Sequence, residues 1–176
     1  MADFMQAYEA MIQAEGGYKL HTVEGDTGGM TYAGIARNKN PDWPGWAWID
    51  RDEIPPTQLV RDYYRAGWWA PICGDELSSQ AVATSFFNFA VNSSERLRPK
   101  KAIKVAQLAA RVTPDGDLGP KTLAAIEAMG EDLFLARFTL AQIARHTEIC
   151  NRDRSRVQAK QFLLGWNNRD LAGYQL

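Results

Sequence analysis

The sequence is poor in the residues on which metal and nucleophile chemistry most often rest. Its 176 residues contain two histidines, His21 and His146, and two cysteines, Cys73 and Cys150. Neither pair has metal-ligand spacing, which argues against zinc. Neither histidine lies near a Gly-x-Ser-x-Gly turn, so serine hydrolysis lacks its strained nucleophile. Gly25 to Gly29 is followed by no Gly-Lys-Ser/Thr, which removes a phosphate loop. No apolar run reaches the about eighteen residues that a membrane-spanning helix needs. The N-terminus, Met1-Ala2-Asp3-Phe4, has no basic region followed by an apolar stretch, so no standard secretory signal is expected. The formal net charge is -1, and no global field draws the chain to nucleic acid or anionic membrane. Internal repeats and low-complexity linkers are absent. A single disulfide is possible, but two thiols in a reducing cytoplasm are the expectation.

What is present is ordinary in bulk and unusual in one place. With 45% hydrophobic and 23% charged residues, the chain can bury a substantial core as one domain, or a domain with a small subdomain. Residues 3 to 15 read as an amphipathic helix carrying Phe4, Tyr8, Met11 and Ile12 at helical spacing. An advance of about 100° per residue puts Glu15 on the face of Phe4 and Met11, one position before a Gly-Gly stop. Burial there would favour the protonated carboxyl, the state of a proton donor. The alternative is a fraying last turn that lets Glu15 reach solvent.

Tyr18 to Val23 and Met30 to Ile35 read as the strands of a small hairpin punctuated by Gly25-Asp26 and Gly28-Gly29. It would hold Glu15 at its base and Asp26 and Thr31 near its turn. Residues 38 to 56 are irregular, and Trp43, Trp46 and Trp48 there either pack the loop onto the body or stack on sugars. Thr57 is placed as the cap of a helix through Trp68, and Ser78 as the cap of a helix from Gln80 to Val91. The latter is apolar nearly all round and reads as the buried centre of the fold. Asn88 and Asn92 lie on one face of it at i and i+4; they are satisfied within the protein or face a ligand.

Arg96, Arg98, Lys100, Lys101 and Lys104 open a further helix, as a solvated face or as a dock for an anionic polymer. The turn Asp115-Gly116-Asp117-Leu118-Gly119-Pro120 precedes a helix to Met129 with Pro120 at its first position. A long helix from Glu131 to Ile149 follows, with Leu133, Phe134, Phe138, Leu140 and Ile143 as its apolar side. A short segment around Phe162-Leu163-Leu164 comes last. The tally is an α-rich α+β domain.

Glycoside hydrolysis needs one carboxylic acid to protonate the leaving oxygen and a second group to stabilise the oxocarbenium ion or position water. Glu15 in an apolar setting suits the first role. Asp26, in a polar glycine-rich turn, suits the second, and Thr31 could hold a water or a sugar hydroxyl. The glycines would let a bulky polymer approach the backbone.

Glu15-Gly16-Gly17-Tyr18, Asp26-x-Gly28-Gly29-x-Thr31 and Gly34-Ile35 together resemble glycoside hydrolase family 108, the phage-type N-acetylmuramidases. Phe89-Ala90-Val91-Asn92 and Asp115-Gly116-Asp117-Leu118-Gly119-Pro120-Lys121-Thr122 also match, the second resembling that family's peptidoglycan-binding region. The resemblance spans about residues 4 to 170. It implies a lysozyme-like fold with a small N-terminal hairpin and a central buried helix. It implies a catalytic part over 1–93 and a helical, peptidoglycan-binding part over 94–176. It further implies cleavage of the β-1,4 bond between N-acetylmuramic acid and N-acetylglucosamine, with Glu15, Asp26 and Thr31 as the catalytic set. Tyr18, Gly29, Tyr32 and Asn92 are the expected substrate contacts. No metal or other cofactor is expected. The expected partner is bacterial peptidoglycan, without nucleic acid or a membrane span, and the expected state is a monomer. The resemblance also implies an endolysin made in the cytoplasm that reaches the wall after the membrane is permeabilised. Two rivals stay open, a non-catalytic peptidoglycan binder and a lytic transglycosylase. The chain departs from the family pattern at Phe87-Asn88, where Phe-Asp is usual.

Overall fold

Helix α1 (Phe4–Ala14) begins where Asp3 caps it, its carboxylate accepting the Met5 and Gln6 N–H groups at 2.6 and 3.2 Å. That satisfies two of the donors a helix start leaves open. The computed structural model describes residues 1–22, 28–93, 96–152 and 157–172, without the side chains of 152–162.

After α1 comes a small antiparallel sheet in the order β1 (Leu20–Thr22), β2 (Met30–Tyr32), β3 (Ile35–Ala36). Leu20 pairs with Tyr32 and His21 with Thr31; Tyr32 then pairs with Ile35. The expected hairpin is therefore there, but its second strand breaks in two. Ala33 and Gly34 have φ of +48° and +77°, the left-handed pair of a two-residue hairpin turn. Their side of the chain folds back as β3 instead of running on.

The Trp-rich loop holds a short helix, α2 (Trp46–Ile49). Trp43 and Trp46 are buried, Trp43 stacked on Tyr32 and donating Nε1 to the Leu59 carbonyl. These two rings pack the loop onto the body. Trp48 stays half-buried under Arg51. Helix α3 (Thr57–Tyr64) starts after Pro56 with no side-chain cap; Thr57, expected as the cap, is already helical. A π-helical turn, Arg65–Trp69, extends it.

Helix α4 (Gln80–Asn92) is the centre of the fold, with Phe86, Phe87, Ala83 and Ala90 fully buried. Its cap is Ser79, whose hydroxyl accepts the Val82 N–H at 3.0 Å. Ser78, expected in that place, instead hydrogen-bonds Glu127 of α6. Helix α1 packs on one side of α4, while α5 (Lys100–Ala109) and α7 (Glu131–Arg152) pack on the other. Helix α6 (Pro120–Met129) has Pro120 at its first turn, as expected, and packs on α7. In the first half of α7 the buried apolar residues are Phe134, Leu135 and Phe138, whereas Leu133 and Leu140 are exposed. The short closing segment is a full helix, α8 (Val157–Ala172), lying along α7. Cys73 is half-buried, Cys150 is buried, and no disulfide joins them. Among the described residues no helix is long and apolar enough to cross a membrane.

Candidate active site

Glu15 ends α1 through hydrogen bonds that its neighbours dictate. The Gly16 N–H donates to the Gln13 carbonyl (3.1 Å) and the Gly17 N–H to the Ile12 carbonyl (2.8 Å). This is the paired closure in which a left-handed residue follows the last helical one. Gly16 and Gly17 have φ of +90° and +77°, and a Cβ on either would meet nothing within 4 Å. The glycines are needed for their backbone angles and not for space.

The closure decides how Glu15 is presented. Phe4, Tyr8, Met11 and Ile12 fill the core, but Glu15 is exposed. The face that the helical period assigns to it is real, yet α1 stops before that face meets a packing partner. Of the two sequence readings, the solvent-facing carboxylate is the one observed, and the apolar setting is corrected.

A cluster of tyrosines ties this helix end to the sheet. Tyr64 of α3 donates its hydroxyl to the Ala33 carbonyl at 3.0 Å. Burial, and then the nearby Glu15 carboxylate, push that hydroxyl up, so it stays a donor. Tyr8 and Tyr18 share a hydrogen bond of 2.7 Å. Burial and that bond push the Tyr8 hydroxyl up as well. Tyr18 is more than a third exposed, so its ring is available beside Glu15. The Lys19 carbonyl accepts the Ala33 N–H at 3.2 Å and closes the base of the hairpin. Glu15, Tyr18 and the Ala33 turn thus sit on one framework, with Tyr64 beneath it.

Gly34 depends on that framework. A Cβ there would lie 2.5 Å from the Tyr64 hydroxyl, and its φ is +77°. Gly34→Ala is expected to cost about 1–3 kcal/mol from the left-handed backbone and the displaced hydroxyl. Urea denaturation checks this; an unchanged midpoint would show that the Tyr64 lock is not formed in solution.

The remaining sequence candidates fall in different places. Thr31 is half-buried in β2, paired with His21, and its hydroxyl donates to the Gly29 carbonyl at 3.3 Å. Asp26 lies outside the described residues. Tyr32, expected to meet substrate, is 5% exposed and stacked on Trp43; its burial makes it a support for the sheet. Gly29, expected to admit a polymer, faces the Asn38 side chain, which a Cβ would meet at 2.8 Å. What approaches its backbone closely is therefore protein. Asn92 is exposed at the end of α4, donating to the Asn88 carbonyl at 2.8 Å and accepting from Arg169 of α8. The Asn88 Oδ1 is buried without a hydrogen-bond partner among the described residues.

Sequence reasoning missed Tyr64. The only local sign was Gly34, singled out as part of a motif without a reason for its lack of a side chain. Among the described residues no group of three or more His, Cys, Asp or Glu could hold a metal ion. The arrangement offers an exposed carboxylate and an aromatic ring beside a hairpin carrying a hydroxyl, the makings of acid catalysis on a polar polymer.

Residues 8–94 match the family model described as glycosyl hydrolase 108, and residues 101–171 match one described as a predicted peptidoglycan domain. The first match ends just after α4, and the second begins inside α5. No curated protein matches the chain. Among solved structures, Brucella abortus SagA is similar, with a TM-score of 0.65 and 24% sequence identity over 98% of this chain and 96% of that one. At that identity the likeness bears on the fold, which is shared nearly end to end.

Proposed function

Because the chain belongs to the glycosyl hydrolase 108 family through residues 8–94 and carries a peptidoglycan domain over residues 101–171, it is a peptidoglycan hydrolase, and we propose that Glu15 is its general acid. The observation that carries this role is the Gly16-Gly17 closure of α1, which turns Glu15 out of the core beside the hairpin. In the free protein that carboxylate meets water. A glycan laid across the helix end and the sheet would cover it. Glu15 then protonates the glycosidic oxygen between N-acetylmuramic acid and N-acetylglucosamine as the bond breaks. Asp26 stabilises the sugar cation or positions the attacking water, and Thr31 holds that water or a sugar hydroxyl. Tyr18 offers a ring against a sugar face. The enzyme works as a monomer and reaches the wall once the inner membrane has been breached, in the manner of an endolysin.

Mass spectrometry of muropeptides released from purified sacculi tests the reaction. Products with a reducing N-acetylmuramic acid end, one water heavier than the corresponding anhydro product, are expected. Anhydro ends would mark a transglycosylase instead. Sacculus binding with no soluble product would mark a chain that binds without cleaving.

A further inference from the structure

Two sequence features take no part in the chemistry at Glu15: the basic run from Arg96 to Lys104 and the turn from Asp115 to Thr122. The fold brings them together. Gln107, buried in α5, donates Nε2 to the Asp115 carboxylate (2.7 Å) and the Asp117 carbonyl (3.1 Å). Its Oε1 accepts the Gly116 N–H at 2.9 Å. The Asp115 carboxylate also accepts the Asp117 N–H at 2.9 Å, and these bonds hold that carboxyl below the usual range. Gly116 has φ +86°, and a Cβ there would come within 3.0 Å of Lys104 and 3.5 Å of Lys100. The turn is therefore clamped against the first turns of α5 and is rigid before any ligand arrives.

Between this turn and the exposed side of the Arg65–Trp69 segment runs an open groove of about 420 Å³. Arg98, Lys100 and Asp117 line it, and Leu97, Leu118 and Pro71 supply aliphatic surface. Arg98, Lys100 and Asp117 are exposed, and none of them makes an ion pair among the described residues. Among the described residues no aromatic ring lines the groove, so it lacks the flat faces on which sugars stack. Two cations, one acid and short aliphatic walls suit an extended peptide with free carboxylates and an amine. The groove also lies at the seam between the catalytic family match and the peptidoglycan-domain match.

We propose that this groove holds the anionic peptide stem of peptidoglycan, its carboxylates on Arg98 and Lys100 and its free ammonium group at Asp117. The glycan strand would then be gripped through its side peptides while Glu15 acts on the backbone. The proposal rests on peptidoglycan being the substrate.

The test titrates the full chain with three probes: the tetrapeptide stem freed from sacculi by an amidase, the same peptide with its carboxyls amidated, and the peptide-free disaccharide. The stem should bind, and amidation should weaken it by about tenfold or more, the loss expected when charge-assisted hydrogen bonds are removed. The disaccharide should not compete. Replacing both cations (Arg98→Glu with Lys100→Glu) should remove stem binding, and exchanging them (Arg98→Lys with Lys100→Arg) should keep it within about threefold. Thermal melts of both exposed variants check that each is folded. Equal binding of the amidated peptide, or retained binding in the charge-reversed variant, would overturn the proposal. So would tighter binding of anionic phospholipid vesicles than of the stem, which would mark a general anion surface. A chain that cleaves sacculi but ignores the stem sinks the groove and leaves the muramidase standing. One that binds the stem but releases no reducing ends does the reverse.

Discussion

Glu15→Gln is expected to slow the release of reducing ends from purified sacculi by about 10²- to 10⁴-fold, the usual contribution of a positioned general acid. Glutamine keeps the size and polarity of the side chain and removes only the proton it donates. The fold should not register the change, because Glu15 is exposed and α1 is closed by the backbone bonds of Gly16 and Gly17. Exposed substitutions of this kind stay within about 0.5 kcal/mol of wild type. Reducing-end release and a thermal melt on the same preparation give both numbers. Wild-type lysis by a folded Glu15→Gln protein would remove Glu15 from the mechanism while leaving the family assignment intact. A large loss of stability would mean that the carboxylate does structural work which its exposure argues against.

The second large effect concerns what makes the two matched segments one body. Phe138 of α7 is fully buried, with its ring 5.5 Å from Phe86 and 5.6 Å from Phe89 of α4, and 5.4 Å from Phe134. It is thus an anchor of the peptidoglycan-domain segment in the catalytic segment. Phe138→Ala should cost about 3–5 kcal/mol, because the lost burial is compounded by a cavity that neighbouring rings cannot fill. Against a margin of about 5–15 kcal/mol, that is a large share of the total. Phe138→Leu, which keeps most of the volume, should cost about 1.5 kcal/mol or less. Urea denaturation followed by two probes reads the coupling. Five of the six tryptophans lie before residue 70 and report the catalytic segment, whereas circular dichroism reports all the helices. Coincident transitions are expected for a single cooperative unit. Separate transitions in the wild type would show two domains that fold independently.

Several features were legible because short stretches of chain determine them. The Gly16-Gly17 stop and Pro120 at the start of α6 are settled by residues within one turn. The burial of α4 could be read from Phe86, Phe87, Phe89 and Ala90, since a helix apolar on all sides has nowhere to go but inside. The misplacements share a different cause. Ser78 and Ser79 are equivalent caps by type, and only Glu127, arriving from α6, takes Ser78 away. Leu133 and Leu140 look like core residues by composition, but the sides of α7 covered by α4 and α5 are those of Phe134, Leu135 and Phe138. The third strand went unseen because Ala33 has the left-handed angle that glycine more often supplies.

The sequence by itself determined the chemistry on offer: a carboxylate at a helix stop, a hairpin after it, and no histidine, cysteine or phosphate-loop motif to compete. It could do so because residue type and near-neighbour spacing decide which reactions a stretch can support and where a helix must end. The tertiary structure decided how Glu15 is presented. The carboxylate placed on an apolar face by its period stands outside the core, because α1 ends before that face reaches a partner. Tyr64 lodged against Gly34, Arg169 reaching Asn92 and Gln107 holding the Asp115 turn against the basic start of α5 are of the same kind. Each joins residues whose meeting depends on how whole helices pack, and no local period encodes that.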